Sequence, residues 1–207
     1  MMDFSTWIAF TAASLVLSAA PGPDNLFVLA QSAVYGKKAG LIVVLGLCTG
    51  LVINTLAAAL GIAALVAAFP ALFWAIRLAG AVYLFHLAVM AWRHATSGHT
   101  GTGCTPLSGA ALWRRGLIMN LTNPKVQIFF LAFFPQFVNA GTEGLALAGQ
   151  MLLQGVTFIG VTALVFGAVA WGAGTMADRL RSPAFQTWLG RCSAIIFALL
   201  AIFTLTT

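Results

Sequence analysis

Asp24 and Lys125 are the two side chains in this sequence whose setting asks for chemistry. Each lies deep in a long apolar stretch and directly follows a proline, in Ala20-Pro21-Gly22-Pro23-Asp24-Asn25 and in Asn120-Leu-Thr-Asn123-Pro124-Lys125. A charge at the centre of a membrane helix costs ~3 kcal/mol on insertion scales. Such a residue points to function by default, with its partner to be found. Pro21 and Pro23 remove two backbone donors and clash with the preceding turn, which interrupts a helix. Asn123 before Pro124 has the pattern of an N-cap with proline at the first helical position. A helix restarting inside a membrane turns unpaired N–H groups and its positive dipole end toward a cavity, where a carboxylate can sit. Carbonyls freed before a break can hold an ammonium. A ligand carrying both groups is a zwitterion. The plainer alternative is that the prolines kink two packed helices and that Asp24 and Lys125 pair structurally.

The elements that must position these residues follow from composition. The chain has 207 residues, of which 61% are apolar and 7% charged, against ~25% charged in a soluble domain. Ten Lys and Arg and four Asp and Glu cannot cover a water-facing surface. That excludes a soluble enzyme and a disordered chain, and describes an integral membrane protein. The net charge of +6 comes from basic residues scattered between apolar blocks, not from the basic stripe of a nucleic-acid binder. Cys48, Cys104 and Cys192 show no CxxC spacing and read as reduced thiols. His94, His99 and Cys104 are too few and unsupported for a metal centre, so neither metal nor cofactor is expected.

Six apolar stretches approach or exceed the ~20 residues that a helix needs to cross a bilayer: Trp7 to Tyr35, Ala39 to Ala68, Pro70 to Trp92, Gly116 to Val138, Leu145 to Trp171 and Ala184 to Thr204. They do not alternate as barrel strands would, so the expected class is all-α with six transmembrane helices, the first and fourth interrupted. The N-terminal run lacks the basic flank of a signal peptide and resumes past Pro23, which reads as a retained first segment. Lys37, Lys38, Arg93, Arg114, Arg115, Arg179 and Arg181 follow odd-numbered segments or flank their loops. The positive-inside rule therefore puts both termini on the non-cytoplasmic side of a bacterial inner membrane. Ser97 to Gly109, rich in Ser, Thr and Gly, reads as a flexible cytoplasmic linker. The whole chain is then one transporter domain, with repeat 1 over about 1–95, the linker over about 96–113 and repeat 2 over about 114–207. With three segments each, the second half must be inverted relative to the first, as in many secondary transporters. Pro70 with Trp74-Ala-Ile-Arg77 and Pro183 with Trp188-Leu-Gly-Arg191 carry the faint likeness between halves.

Within the six stretches the other charges are Arg77 and Arg191, near enough to segment ends to snorkel to the interface. Gly46-Leu-Cys-Thr-Gly50 is a GxxxG step suited to close helix packing, and Gly155, Gly160 and Gly167 are expected to pack likewise. Asn54 lies one turn beyond Gly50 on the same face, where an amide serves as interhelical glue or as a ligand. Tyr83 and His86 show no evident partner and are expected to be buried packing residues.

At these residues the sequence resembles the LysE/RhtB family of amino-acid exporters. The resemblance rests on Pro21-Gly22-Pro23-Asp24-Asn25, the Gly46 to Gly61 block, Gly80-Ala81-Val82-Tyr83-Leu84 and, most specifically, NLTNPKVQIFFLAFFPQFV over Asn120 to Val138. It implies export of amino acids or close derivatives from the cytoplasm in exchange for protons, and no enzymatic activity. Pro21, Gly22, Pro23, Asp24, Asn123, Pro124 and Lys125 match the family's motifs. Many members carry His where this chain has Asn54; if that His carries protons, coupling here must use another group, and Asp24 is the candidate.

The resulting expectation is a proton antiporter working by alternating access, with Asp24, Asn25, Asn54, Asn123 and Lys125 at the substrate or proton site. The alternative is an exporter of metal or other small cations on a similar scaffold. It would need clustered carboxylate, His or thiolate ligands, whereas Asp24, Cys48, His86 and Cys192 are scattered. Which amino acid is carried stays open, as does oligomeric state, including a homodimer.

Overall fold

The computed structural model describes residues 3–20, 22–68, 70–94, 107–139 and 141–206. Pro21, His99, Cys104 and most of the expected linker lie outside these residues, and the side chains of Arg77 and His94 are not described. Among the described residues all regular structure is helical.

Proline and its neighbours set the helix boundaries. Helix α1 (Phe4–Ala19) stops ahead of the two prolines, and α2 (Pro23–Tyr35) restarts with extended Gly22 as N-cap and Pro23 at its first position. The two helices are bent by 60°. Gly36, at φ 82°, turns the chain into α3 (Lys37–Ala68), which is followed by α4 (Pro70–His94). Ser108 caps α5 (Gly109–Thr122) by accepting from the Ala111 N–H, so this helix starts seven residues before the apolar stretch does. Asn123 ends α5 and caps α6 (Pro124–Ile128), and the chain bends by 51° there. The helix then widens to a π turn over Phe129–Phe133 and tightens to a 3-10 turn over Phe134–Phe137. Pro135 explains this change: it offers no N–H, and its ring would strike a carbonyl one turn back. Gln136 Nε2 donates instead to the Ala132 carbonyl at 2.6 Å. Helices α7 (Gly144–Arg181) and α8 (Pro183–Thr206) complete the chain.

Among the described residues, Lys37–Gly61 of α3 and Gly144–Ala173 of α7 are each long and apolar enough to cross a membrane. Each bent pair, α1 with α2 and α5 with the helix after it, meets the same test when taken as one span. Large apolar side chains such as Leu60, Leu164 and Val156 point outward, as lipid-facing residues must. The protein is an all-helical, multi-pass membrane protein.

Helix α3 is the central element, packed on α5 and α7, while α4 packs chiefly on α8. The α3–α5 crossing is reciprocal. A Cβ on Gly46 would lie 2.1 Å from the Trp113 carbonyl oxygen, and one on Gly116 would lie 2.3 Å from that of Val43. Glycines on both helices thus let the two backbones touch. Gly155 fits against Thr55 of α3, but Gly160 and Gly167 face open space, contrary to the packing role expected for them. His86 is exposed and Tyr83 half-buried, their rings 6.0 Å apart; they pair on the outer face of α4 instead of filling the interior. Two apolar clusters form the core, one aromatic around Phe10, Phe129, Phe133, Phe134 and Phe158, the other around Val28, Val43, Leu47 and Phe166.

Candidate functional site

Helix α1 ends with a full set of unpaired acceptors. Its last internal bond runs from the Ala20 N–H to the Val16 carbonyl at 2.8 Å, which leaves the carbonyls of Leu17, Ser18, Ala19 and Ala20 without helical partners. Pro21 has no N–H to offer Leu17. Two side chains from beyond the break satisfy all four. Asn25 Nδ2 donates to Ser18 at 3.1 Å and to Ala19 at 3.3 Å. Lys125 Nζ donates to Leu17 at 3.0 Å and to Ala20 at 3.3 Å. The ammonium, buried and from the other half of the chain, sits at the negative end of the α1 dipole.

The second break repeats part of this arrangement. Gln127 Nε2 donates to the Asn120 carbonyl at 3.4 Å and to that of Leu121 at 2.9 Å. The offsets, seven and six residues, equal those of Asn25. Asn123 Oδ1 accepts from the Lys125 N–H at 3.0 Å, capping α6, and Asn123 Nδ2 donates to Asp24 Oδ2 at 2.7 Å. Asp24 occupies the second position of α2, at the positive end of that dipole. Its Oδ1 is buried and has no hydrogen-bond partner. One side chain therefore ties the two breaks together while half of the carboxylate stays open.

Asp24 and Lys125 both line a small cavity with Asn120, Ser18, Thr162 and the apolar Leu17, Leu47, Leu51, Val126, Phe158 and Phe166. It has about 20 Å³ of room for water centres, enough for roughly one water. Ser18 and Thr162 hydroxyls share a hydrogen bond of 3.2 Å across it. One carboxylate and one ammonium thus share a cavity whose other walls are neutral.

The family model for LysE type translocators matches residues 15–207. This chain belongs to that family. Among curated relatives of the translocator, an uncharacterized membrane protein of Vibrio cholerae is 33% identical over 197 residues, covering 95% of this chain and 94% of its own. A homoserine/homoserine lactone efflux protein of Salmonella typhimurium is 31% identical over 198 residues, 96% of this chain and 95% of its own. A leucine efflux protein of Enterobacter is 36% identical over 155 residues, 70% of this chain and 71% of its own. No solved structure gives a significant match.

Of the residues singled out from the translocator's sequence, Asp24 and Lys125 meet at the cavity, Asn123 holds both from behind, and Asn25 sits on the α1 carbonyls. Asn54 stands one step away: its Nδ2 donates to Asn120 Oδ1 at 3.2 Å, so it reaches the cavity only through that amide. Gly22 and Pro23 form the α2 start and Pro124 the α6 start, with both prolines exposed at their surfaces. Sequence reasoning passed over Asn120, Gln127, Ser18 and Thr162. Gln127 had a local signal, an amide just past a break, whereas Ser18 and Thr162 meet only through packing.

Asn123 is the hinge of this network. Asn123→Ala removes an N-cap worth about 1 kcal/mol and a hydrogen bond to a carboxylate worth about 1.5–3 kcal/mol. Asn123→Asp keeps the cap but sets a second carboxylate against Asp24. Both variants are expected to melt earlier than the parent protein in detergent. An unchanged melting temperature in both would show that the Asp24–Asn123 contact carries no stability.

Proposed function

We propose that this translocator exports an amino acid or close derivative with a neutral side chain from the bacterial cytoplasm, in exchange for protons, by alternating access. The observation that carries the reading is the convergence of Asp24 and Lys125, from two separate helix breaks, on one small cavity. The relatives named for homoserine and leucine efflux favour the same substrate class. A donor set of one carboxylate and one amine suits a zwitterion and not a metal ion.

Six spans arranged as two inverted repeats supply the framework. The equal amide-to-carbonyl offsets at the two breaks support it, as do the pairings of α3 with α7 and α4 with α8, each joining like members of the two halves. Lys37 Nζ lies 3.6 Å from the Trp171 ring centre, ten residues before Arg181, and Arg191 lies over Trp92, next to Arg93. This gathering of basic residues supports a cytoplasmic face at that end, with both termini opposite.

The substrate carboxylate binds at the start of α6 by Lys125, and its ammonium binds Asp24 Oδ1 and the α1 carbonyls. A cavity with room for one water admits no amino acid, so loading parts the contacts that Asn123 and Lys125 make across the two halves. A proton reaching Asp24 from the outer side removes the charge that holds the ammonium and favours release. Efflux from proteoliposomes loaded with a panel of amino acids tests this. Leucine, homoserine and similar neutral substrates should leave faster when the trans side is made acidic, while lysine and glutamate should stay. Efflux of none of them, or rates indifferent to the pH gradient, would overturn the reading.

A further inference from the structure

The α1 carboxyl end is a cation site that already holds a cation. Leu17 and Ala20 carbonyls accept from Lys125 Nζ, while Ser18 and Ala19 are satisfied by the neutral Asn25 amide. Lys125 Nζ makes no hydrogen bond to Asp24: it donates to backbone carbonyls, and Asp24 Oδ1 is left buried and unpartnered on the same cavity. A primary ammonium with three donors could satisfy Leu17, Ala20 and Asp24 Oδ1 together. The α-ammonium of an amino acid is such a group.

We propose that the Leu17 and Ala20 carbonyls form the subsite for the substrate's primary ammonium, and that Lys125 Nζ fills this subsite as a tethered competitor until substrate displaces it. The substrate part of this proposal rests on the exporter reading above. The exchange replaces one ammonium by another at the same acceptors, so the α1 end never loses its cation. The displaced lysine moves to the substrate carboxylate. Charge in the buried site sums to zero both before loading (Lys125 with Asp24) and after it, since the arriving zwitterion is neutral. An unpaired buried charge, costly in a protein interior, arises at neither stage.

Selectivity follows from the same bookkeeping. A simple amine could displace Lys125 but would bring no carboxylate to receive it. An N-acylated amino acid has a carboxylate but no cation to displace it. Only a molecule with both groups completes the exchange.

Lys125→Ala deletes Cγ, Cδ, Cε and Nζ, the atoms of n-propylammonium, and leaves the subsite open to that ion. Purified Lys125→Ala protein in detergent is expected to melt at a higher temperature when n-propylammonium is added, by about 2–4 °C. The parent protein should not shift, because its subsite is filled. Propanol, of similar shape but uncharged, should not shift either protein. No shift in the variant, or an equal shift in the parent, overturns the proposal. Lys125→Met, which keeps the stem's packing and vacates only the place of Nζ, is measured alongside with ammonium chloride as its probe in case the alanine variant does not accumulate. If neither variant accumulates even with n-propylammonium in the growth medium, the proposal also falls, since rescue is what it requires. The readout is binding and not transport. Amine binding by the variant without amino-acid efflux by the parent would remove the exporter reading and keep the subsite; efflux without amine binding would do the reverse.

Discussion

Asp24→Asn is expected to give a folded, membrane-inserted protein whose efflux no longer responds to a pH gradient. Asparagine has nearly the same shape, and its side-chain oxygen can still accept the 2.7 Å hydrogen bond from Asn123 Nδ2. The N-terminal position on α2 also tolerates a neutral amide. What disappears is the negative charge. An ammonium held by a carboxylate gains about 1.5–3 kcal/mol from that hydrogen bond, so substrate affinity should fall by about ten- to hundred-fold. Because an amide does not take up a proton near neutral pH, acid on the trans side has nothing to act on. Counterflow in proteoliposomes, measured with and without the gradient and beside the melting temperature of the same preparation, separates the two effects. Gradient-driven efflux at the parental rate from Asp24→Asn would remove this residue from the coupling mechanism.

The second large effect is on stability and changes sign along the chain. A Cβ at Gly46 or Gly116 meets a backbone carbonyl oxygen at 2.1 or 2.3 Å, and a carbonyl in a packed helix cannot swing aside. Gly46→Ala and Gly116→Ala must therefore push α3 and α5 apart. Overpacking of this kind costs about 1–3 kcal/mol and sometimes more, enough to empty the membrane of folded protein in a marginally stable chain. The shift also reaches the site, since Gly50 on the same face of α3 touches the Asn120 side chain that lines the cavity. Gly160→Ala meets nothing within 4 Å. There the higher helix propensity of alanine should stabilise by up to about 1 kcal/mol. Thermal unfolding of the three variants in one detergent checks the pattern. Equal melting temperatures at Gly46 and Gly160 would mean that the α3–α5 crossing is not as close as described.

Much of the fold was legible because its signals are local. The Pro21-Gly22-Pro23 and Asn123-Pro124 breaks depend on missing N–H groups and ring clashes within a few residues. The Asn123 cap was readable for the same reason: its acceptor serves an N–H two residues on. Glycine was harder. Gly46 opens a GxxxG step and Gly160 does not, yet both were expected to pack, and only the path of the neighbouring helix decides that one is a contact and the other is not. The expectation of a buried His86 failed in a similar way, since an apolar stretch does not say which of its faces turns inward.

The chain's own order of residues determined that it lives in a membrane and where prolines stop and restart its helices, because composition and backbone donors act over short distances. Three-dimensional packing settled what fills the breaks. Lys125 does not bond to Asp24; it crosses more than a hundred positions of sequence to the carbonyls of Leu17 and Ala20, and Asn123 takes the carboxylate. An unpaired helix end must find a partner, but which side chain arrives depends on how the helices cross.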